Sequence, residues 1–228
     1  MRWRSIAIDG PIGAGKSTIA KHVARRLGFA YADTGALYRG LGLYCLRKGV
    51  DLGSREAVES SLKQAQIYVR YSGADQLTFL NGEDITQAVR TQEVADAASR
   101  LAVVESVRFE IVKILQDIAI QQDIVMDGRD IGTVVLPKAD LKIYLDASVE
   151  ERAERRLREL EIKGVKTNYE RVLREVLERD ERDKNREASP LKVAQGAVVV
   201  DTTSLGAQEV TRRIVDEFQR LYPTSREA

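Results

Sequence analysis

The stretch Gly10-Pro11-Ile12-Gly13-Ala14-Gly15-Lys16-Ser17 matches Gly-x-x-x-x-Gly-Lys-Ser at every fixed position and follows directly on a strand-like run, Ser5-Ile6-Ala7-Ile8-Asp9. Eight spaced residues between a strand and a helix make a phosphate-binding P-loop. The glycines let successive backbone N–H groups turn inward. The helix that opens near Lys16 points its positive end at the same place, and the lysine adds a full charge. Ser17 can offer a hydroxyl to Mg²⁺, and Thr18 follows it in the first helical turn.

Outward from the loop, Ile19, Val23 and Leu27, with Ala20 and Ala24, recur at helical spacing until Gly28. Lys21, His22, Arg25 and Arg26 make the solvated face, so the single histidine lies away from any partner acid. Phe29-Ala30-Tyr31-Ala32 reads as a second strand, and Asp33-Thr34-Gly35 opens a helix that carries Leu37, Arg39, Leu41 and a core cysteine, Cys45. Open α/β sheets place ligands at the carboxyl ends of their strands, so Arg39 falls close to that edge. Ser54 to Ala65 is a third helix. The period then changes to alternation in Ile67, Val69 and Tyr71 and in Leu77 and Phe79, with turns at Ser72-Gly73-Ala74-Asp75 and Asn81-Gly82. This is a small antiparallel meander inserted into a strand-helix rhythm, and the insertion spans about residues 60–102.

Val104, Val107, Ile111, Leu115 and Ile118 mark a long helix bearing Arg108, and Ile124-Val125-Met126 is a short apolar strand followed by Asp127-Gly128-Arg129-Asp130. Three charges at the end of a doubly buried strand, on the edge that carries the P-loop, indicate a site. Leu141 to Leu145 is the fourth core strand. Ser148-Val149-Glu150-Glu151 and Thr167-Asn168-Tyr169-Glu170 read as capping boxes for two further helices. Arg152 and Arg156 share one face of the first. On the second, Val172, Val176, Arg179, Asp183 and Arg186 fall on one stripe, so an apolar face continues as Arg-Asp-Arg. A stripe of that kind runs from a core into a polar cleft. Ala197 to Asp201 is a fifth strand, and a last helix through Val210, Ile214, Phe218 and Leu221 stops at Pro223. Five apolar strands, most separated by helices, give a parallel sheet covered on both faces.

The chain has 228 residues, enough for one sizeable core, and 36 Lys+Arg against 35 Asp+Glu give a formal charge of +1. No global basic surface favours nucleic acid, so local arginines must carry anion binding. One cysteine excludes an internal disulfide framework and a cysteine metal cluster. Met1-Arg2-Trp3-Arg4 leads into the first strand without an apolar signal segment, and no run approaches a membrane span. These features favour a cytoplasmic protein with no membrane partner. The lack of a long uncapped apolar surface favours a monomer.

The P-loop together with Asp33-Thr34-Gly35-Ala36-Leu37-Tyr38-Arg39, Val89-Arg90-Thr91-Gln92-Glu93-Val94, Asp127 to Val135 and Glu178 to Arg186 closely resembles bacterial cytidylate kinase, over nearly the whole chain. The resemblance implies a P-loop nucleoside monophosphate kinase fold. Its α/β core, with a five-stranded parallel sheet, would comprise about residues 1–59, 103–157 and 187–228. An antiparallel monophosphate-binding insertion would lie at about 60–102, and a short lid, without zinc, at about 158–186. It implies transfer of the γ-phosphoryl group of MgATP to CMP or dCMP. Gly10 to Thr18 would hold ATP phosphates and Ser17 the metal. Arg152 would pack near adenine, and Arg156 and Arg182 would meet the transferring group. Ser99, Arg108 and Asp130 would read cytosine, Arg179 and Asp183 the sugar, and Arg39, Arg129 and Arg186 the acceptor phosphate, with Thr34 beside them. The catalytic set so implied is Lys16, Arg129, Arg156, Arg182 and Arg186.

Two alternatives remain from the residues alone. Another nucleoside monophosphate kinase, acting on UMP, dTMP or AMP, would use the same core, and only Ser99, Arg108 and Asp130 oppose it. A non-kinase P-loop regulator would need a guanine-reading Asn-Lys-x-Asp run, which the sequence lacks, and fewer arginines.

Overall fold

The computed structural model describes residues 3–72 and 75–223; Met1, Arg2 and the centre of the turn expected at Gly73-Ala74 lie outside the described residues. Five strands form the parallel sheet: β1 (Ser5–Asp9), β2 (Ala30–Asp33), β6 (Ile124–Gly128), β7 (Leu141–Asp146) and β8 (Val198–Asp201), in the order β2-β6-β1-β7-β8. A separate antiparallel sheet of β3 (Ile67–Ser72), β4 (Asp75–Leu80) and β5 (Glu83–Asp84) lies between the second and sixth strands in sequence.

Alternation along the core strands sorts the sheet's side chains between two apolar layers. Ile6, Ile8 and Val125 pack on α1 (Lys16–Leu27) and α8 (Ala207–Leu221), while Ala7, Ile124 and Met126 face α2 (Thr34–Lys48) and α5 (Glu105–Ala119). From the central β1 the chain moves first to the β2 edge and later to β7 and β8 on the other side. The sheet therefore has a switch point at the end of β1, where the P-loop emerges. Register fixes what stands there: Asp9 pairs with Gly128 and Asp33 with Asp127, which sets Asp9, Asp33 and Asp127 along one edge.

The remaining helices are α3 (Arg55–Leu62) and α4 (Gln92–Leu101) in and beside the insertion, and α6 (Val149–Ile162) and α7 (Tyr169–Asn185), which pair as a hairpin over the sheet edge. Several details differ from the sequence reading, and α3 ends at Leu62 rather than Ala65. The sixth strand runs two residues past its apolar triplet, because Asp127 and Gly128 still pair with Ile8 and Asp9. The second strand is shifted one residue, to Ala30–Asp33, and Asp33 itself caps α2 by accepting from the Ala36 N–H. The cap of α7 is Asn168, not Thr167; its Oδ1 accepts from the Arg171 N–H at 2.9 Å, as a short side-chain amide does well. Lastly β8 is an edge strand with Val199 56% exposed, so the sheet is not covered on both faces to its end. The stripe on α7 is as the spacing predicts: Val172 and Val176 are fully buried, and Asp183 and Arg186 continue it as buried charges.

Candidate functional site

The loop between β1 and α1 is shaped by backbone constraints that its glycines meet. Gly10 has φ +149°, and a Cβ there would lie 2.1 Å from the Leu145 carbonyl oxygen; at Gly13, φ +78°, a Cβ would lie 2.7 Å from the Arg152 carbonyl oxygen. Gly15 enters α1 in a left-handed conformation with no side-chain cap, so the first amides of the helix are left for a ligand. Pro11 and Ala14 are buried, Ile12 packs against the α6–α7 hairpin, and Thr18 is exposed on the first turn. Lys16 is 7% exposed and donates to the Pro11 carbonyl at 2.6 Å. Burial, and next the repulsion of Arg129, hold its ammonium well below the usual lysine value.

Behind the loop stands Asp127, a residue the sequence reading noticed only as one charge of a loop. Its Oδ2 accepts from the Ser17 hydroxyl at 2.8 Å and its Oδ1 from the Tyr31 hydroxyl at 2.7 Å. Burial, and then the charge of Asp33, raise its pKa. One hydroxyl and one carboxylate at this spacing suit Mg²⁺, which keeps several waters and takes its remaining ligands from phosphate oxygens. Among the described residues no cluster of three or more His, Cys, Asp or Glu forms a dedicated metal cage. The signal that could have found Asp127 is a carboxylate closing an otherwise apolar strand. Asp9 carries the same signal: 2% exposed, it accepts from the Ile131 and Gly132 N–H groups at 2.8 and 2.7 Å and so pins the loop that bears Arg129 and Asp130. Burial pushes its carboxyl up to about 6.

On the other side of the cleft, Thr34 donates to the Asp127 carbonyl at 2.6 Å and Arg39 pairs with Asp33 at 2.6 Å. Gln76 of β4 meets the backbone of Asp33 at both its N–H (2.9 Å) and its carbonyl (3.2 Å), which docks the small sheet onto the end of β2. Deeper in, Asp130 is held between two arginines. Its Oδ2 accepts from Arg108, and its Oδ1 lies 3.7 Å from Nη2 of Arg186. Arg108 also donates to the Ala102 carbonyl and lies over the Tyr38 ring. Ser99, 9% exposed, comes from α4. Arg129 and Asp183 pair at 2.7 Å, and Arg186 donates to the Ser189 carbonyl at 2.5 Å.

The positive charges outnumber their partners here. Burial, and then Arg129, press the Arg179 guanidinium down to about 10, with Arg156 and Arg182 adding to the repulsion. Arg186 is lowered by burial and then by Arg108. Among the described residues, three buried guanidinium nitrogens have no hydrogen-bond partner: Nε of Arg108, Nε of Arg179 and Nη2 of Arg186. Buried donors are seldom left so, and three around one cleft fit a ligand rich in acceptor oxygens and negative charge.

The hairpin supplies the remaining arginines unequally. Arg152 is 3% exposed and fastens three segments, donating to the Ala147 and Ile12 carbonyls at 3.0 and 3.1 Å and pairing with Asp180 at 2.7 Å. Arg156 reaches Glu159 at 2.7 Å and Gln92 at 2.6 Å. Arg182 is exposed and donates within its own helix to the Glu178 carbonyl at 3.4 Å. Asp180 and Gln92 lie in stretches that carry the resemblance but had no role of their own, since a single polar residue carries no pattern.

With this geometry in view, comparison with known proteins is specific. The family model described as cytidylate kinase matches residues 6–220. A cytidylate kinase of Caldicellulosiruptor bescii is 44% identical over 221 residues, covering 97% of this chain and 98% of its own. One of Streptococcus pneumoniae (strain 70585) is 47% identical over 221 residues, covering 96% and 99%. A solved structure described as an uncharacterized protein of Eubacterium ventriosum superposes with a TM-score of 0.55 at 11% identity, over 95% of this chain and 98% of its own, a likeness of fold alone. The regulator reading has no support left, and the chain belongs to the cytidylate kinase family.

Proposed function

We infer from the geometry how this phosphotransferase of the cytidylate kinase family, which phosphorylates CMP or dCMP, divides the work among its residues. The observation that carries the reading is the trio of buried guanidinium nitrogens without a hydrogen bond, beside a P-loop whose lysine is held low by burial and then by the charge of Arg129. A doubly charged acceptor phosphate beside a nucleoside triphosphate relieves that repulsion at every point. Lys16 and the loop amides from Gly10 to Thr18 hold the phosphates of ATP, and Arg39, Arg129 and Arg186 hold the acceptor phosphate. Ser17, with Asp127 behind it, would hold Mg²⁺, which would supply positive charge against the phosphates.

Cytosine is read by the buried Arg108–Asp130 pair. Asp130 commits one oxygen to Arg108, which leaves Oδ1 to accept from the exocyclic amino group, while Nε of Arg108 donates to a ring acceptor. Ser99 borders the base, and Arg179 and Asp183 lie at the sugar. A uracil carbonyl would meet the carboxylate acceptor to acceptor. No general base is needed, since the acceptor phosphate has a second pKa near 6 and is largely ionised at neutral pH. The residues contribute in-line alignment and positive charge on the transferring group, from Lys16, Arg156 and Arg182 with Arg129 and Arg186 opposite. The α6–α7 hairpin acts as a lid that, with the insertion, closes over both substrates and excludes water. Arg152 fixes the base of that lid and borders the adenine site.

The test is ADP release with MgATP and a panel of CMP, dCMP, UMP, dTMP, AMP and GMP, with Asp130→Asn beside the parent. CMP and dCMP should dominate, and the variant should lose about 5–100-fold of the preference for CMP over UMP, the cost of mispairing one buried acceptor. A variant that discriminates as well as the parent would remove Asp130 from the base site.

A further inference from the structure

We propose that Gln92 is a positioning residue for Arg156, and that through it α4 connects the base pocket to the arginine at the transferring phosphoryl group; this rests on the role given to Arg156 above. Arg156 is held at two points. Its Nη1 donates to Glu159 at 2.7 Å within α6, and its Nη2 donates to Oε1 of Gln92 at 2.6 Å across the cleft. A planar guanidinium fixed at two nitrogens has its orientation set, which one contact would not achieve.

Gln92 is itself oriented. Its Nε2 donates to Oδ1 of Asp96 at 3.1 Å, and a carboxylate accepts only, so the amide oxygen must face Arg156. The residue opens α4 directly after Thr91, whose hydroxyl accepts from the Val94 N–H. Seven residues later on the same helix comes Ser99. Seven residues are two turns, so Gln92 and Ser99 lie on one face about 10 Å apart, one at the lid and the other in the acceptor pocket. The helix between them is packed tightly on α2: a Cβ at Gly42 would lie 3.0 Å from the Ala98 N and 3.2 Å from the Ala97 Cβ. A base seated against Ser99 therefore bears on a rigid rod whose other end holds Arg156.

The choice of an amide has a consequence of its own. Arg156 repels Arg179 and belongs to the crowd of positive charge over the P-loop. A neutral acceptor steers that charge without cancelling it, whereas a second carboxylate beside Glu159 would withdraw it from the phosphoryl group.

The experiment is a double-mutant cycle with Gln92→Met, Arg156→Met and the pair, measuring kcat, the KM of CMP and of ATP, and the melting temperature. Gln92→Met should lower kcat about 5–20-fold, with both KM values within about twofold and an unchanged melting temperature, the pattern of an interaction made in the transition state. The double variant should be no slower than Arg156→Met alone, because Gln92 acts through that arginine. Parental kcat in Gln92→Met, or losses that multiply in the double variant, would overturn the proposal while leaving the role of Arg156 intact. Parental kcat in Arg156→Met would instead remove the role on which the proposal rests, and the proposal with it.

Discussion

Beside the P-loop, the sheet buries Ile6, Ile8, Val125, Ile143 and Leu145 against α1 and α8, whereas the α6–α7 hairpin closes on four buried apolar side chains, Ala153, Leu160, Val172 and Val176. Burial of that small extent stabilises weakly, and Arg152 adds polar contacts that join α6 to α7 at Asp180 and the hairpin to the body at Ala147 and Ile12. The two regions meet at the cleft but are built for different tasks. A sheet packed from both sides holds Lys16, Asp127 and Asp130 in fixed relation, and an element with little core of its own can open at low cost.

Arg152→Met should have the largest effect. Asp180 is 7% exposed at its side chain, it meets Arg152 through Oδ2 while Oδ1 has no hydrogen-bond partner, and breaking a buried pair from one side costs about 3–5 kcal/mol. The loss should appear in hydrogen exchange as unprotected amides along α6 and α7 with the sheet amides still slow. Uniform loss of protection across sheet and hairpin would mean that the two regions form one cooperative unit. A paired truncation sharpens the contrast. Ile8→Ala in the sheet should cost about 2–5 kcal/mol of global stability in denaturant unfolding. Leu160→Ala should leave the main transition near its parental midpoint and raise the KM of ATP, since it loosens only the hairpin.

The smallest expected effect concerns Asp9, where the sheet reaches into the site. Its carboxyl stands at about 6 against an ordinary 3.8, so between those values the folded state binds more protons than the unfolded one. Stability from this group is therefore present at low pH and lost as pH rises through 6. The parent measured against Asp9→Asn should lose about 2 kcal/mol between pH 4 and pH 6, and an unchanged difference across that range would show that Asp9 titrates normally. The same variant should raise the KM of CMP, because an amide satisfies one of the two N–H groups of Ile131 and Gly132 and presents a donor to the other.

Much of the site was legible from local pattern. The P-loop spacing, the Arg-Asp-Arg continuation of an apolar stripe on α7 and the charged end of β6 each follow from short-range rules of period and backbone geometry. Asp127 and Asp9 were less so, since one acidic residue after an apolar run marks a turn as readily as a buried acceptor. Gln92 stands in a stretch that carries the resemblance, but its contact left no trace, because its partner Arg156 lies 64 residues away on a different helix. The Thr167 cap was misplaced by one residue because Thr and Asn both cap well, and only the geometry of the chain's entry chooses between them.

The sequence by itself determined which segments are strands and helices, that a phosphate is bound where β1 meets α1, and which arginines are available to surround it. These properties depend on residues within a few positions of one another. Tertiary structure decided how the arginines are paired: that Asp130 holds Arg108 and faces Arg186, that Arg152 is spent on fastening the hairpin, and that Arg108, Arg179 and Arg186 each keep a buried nitrogen without a hydrogen bond. A guanidinium reaches whatever carboxylate the packing of separate elements brings within about 3 Å. That choice depends on strand order and helix placement, to which no local pattern has access.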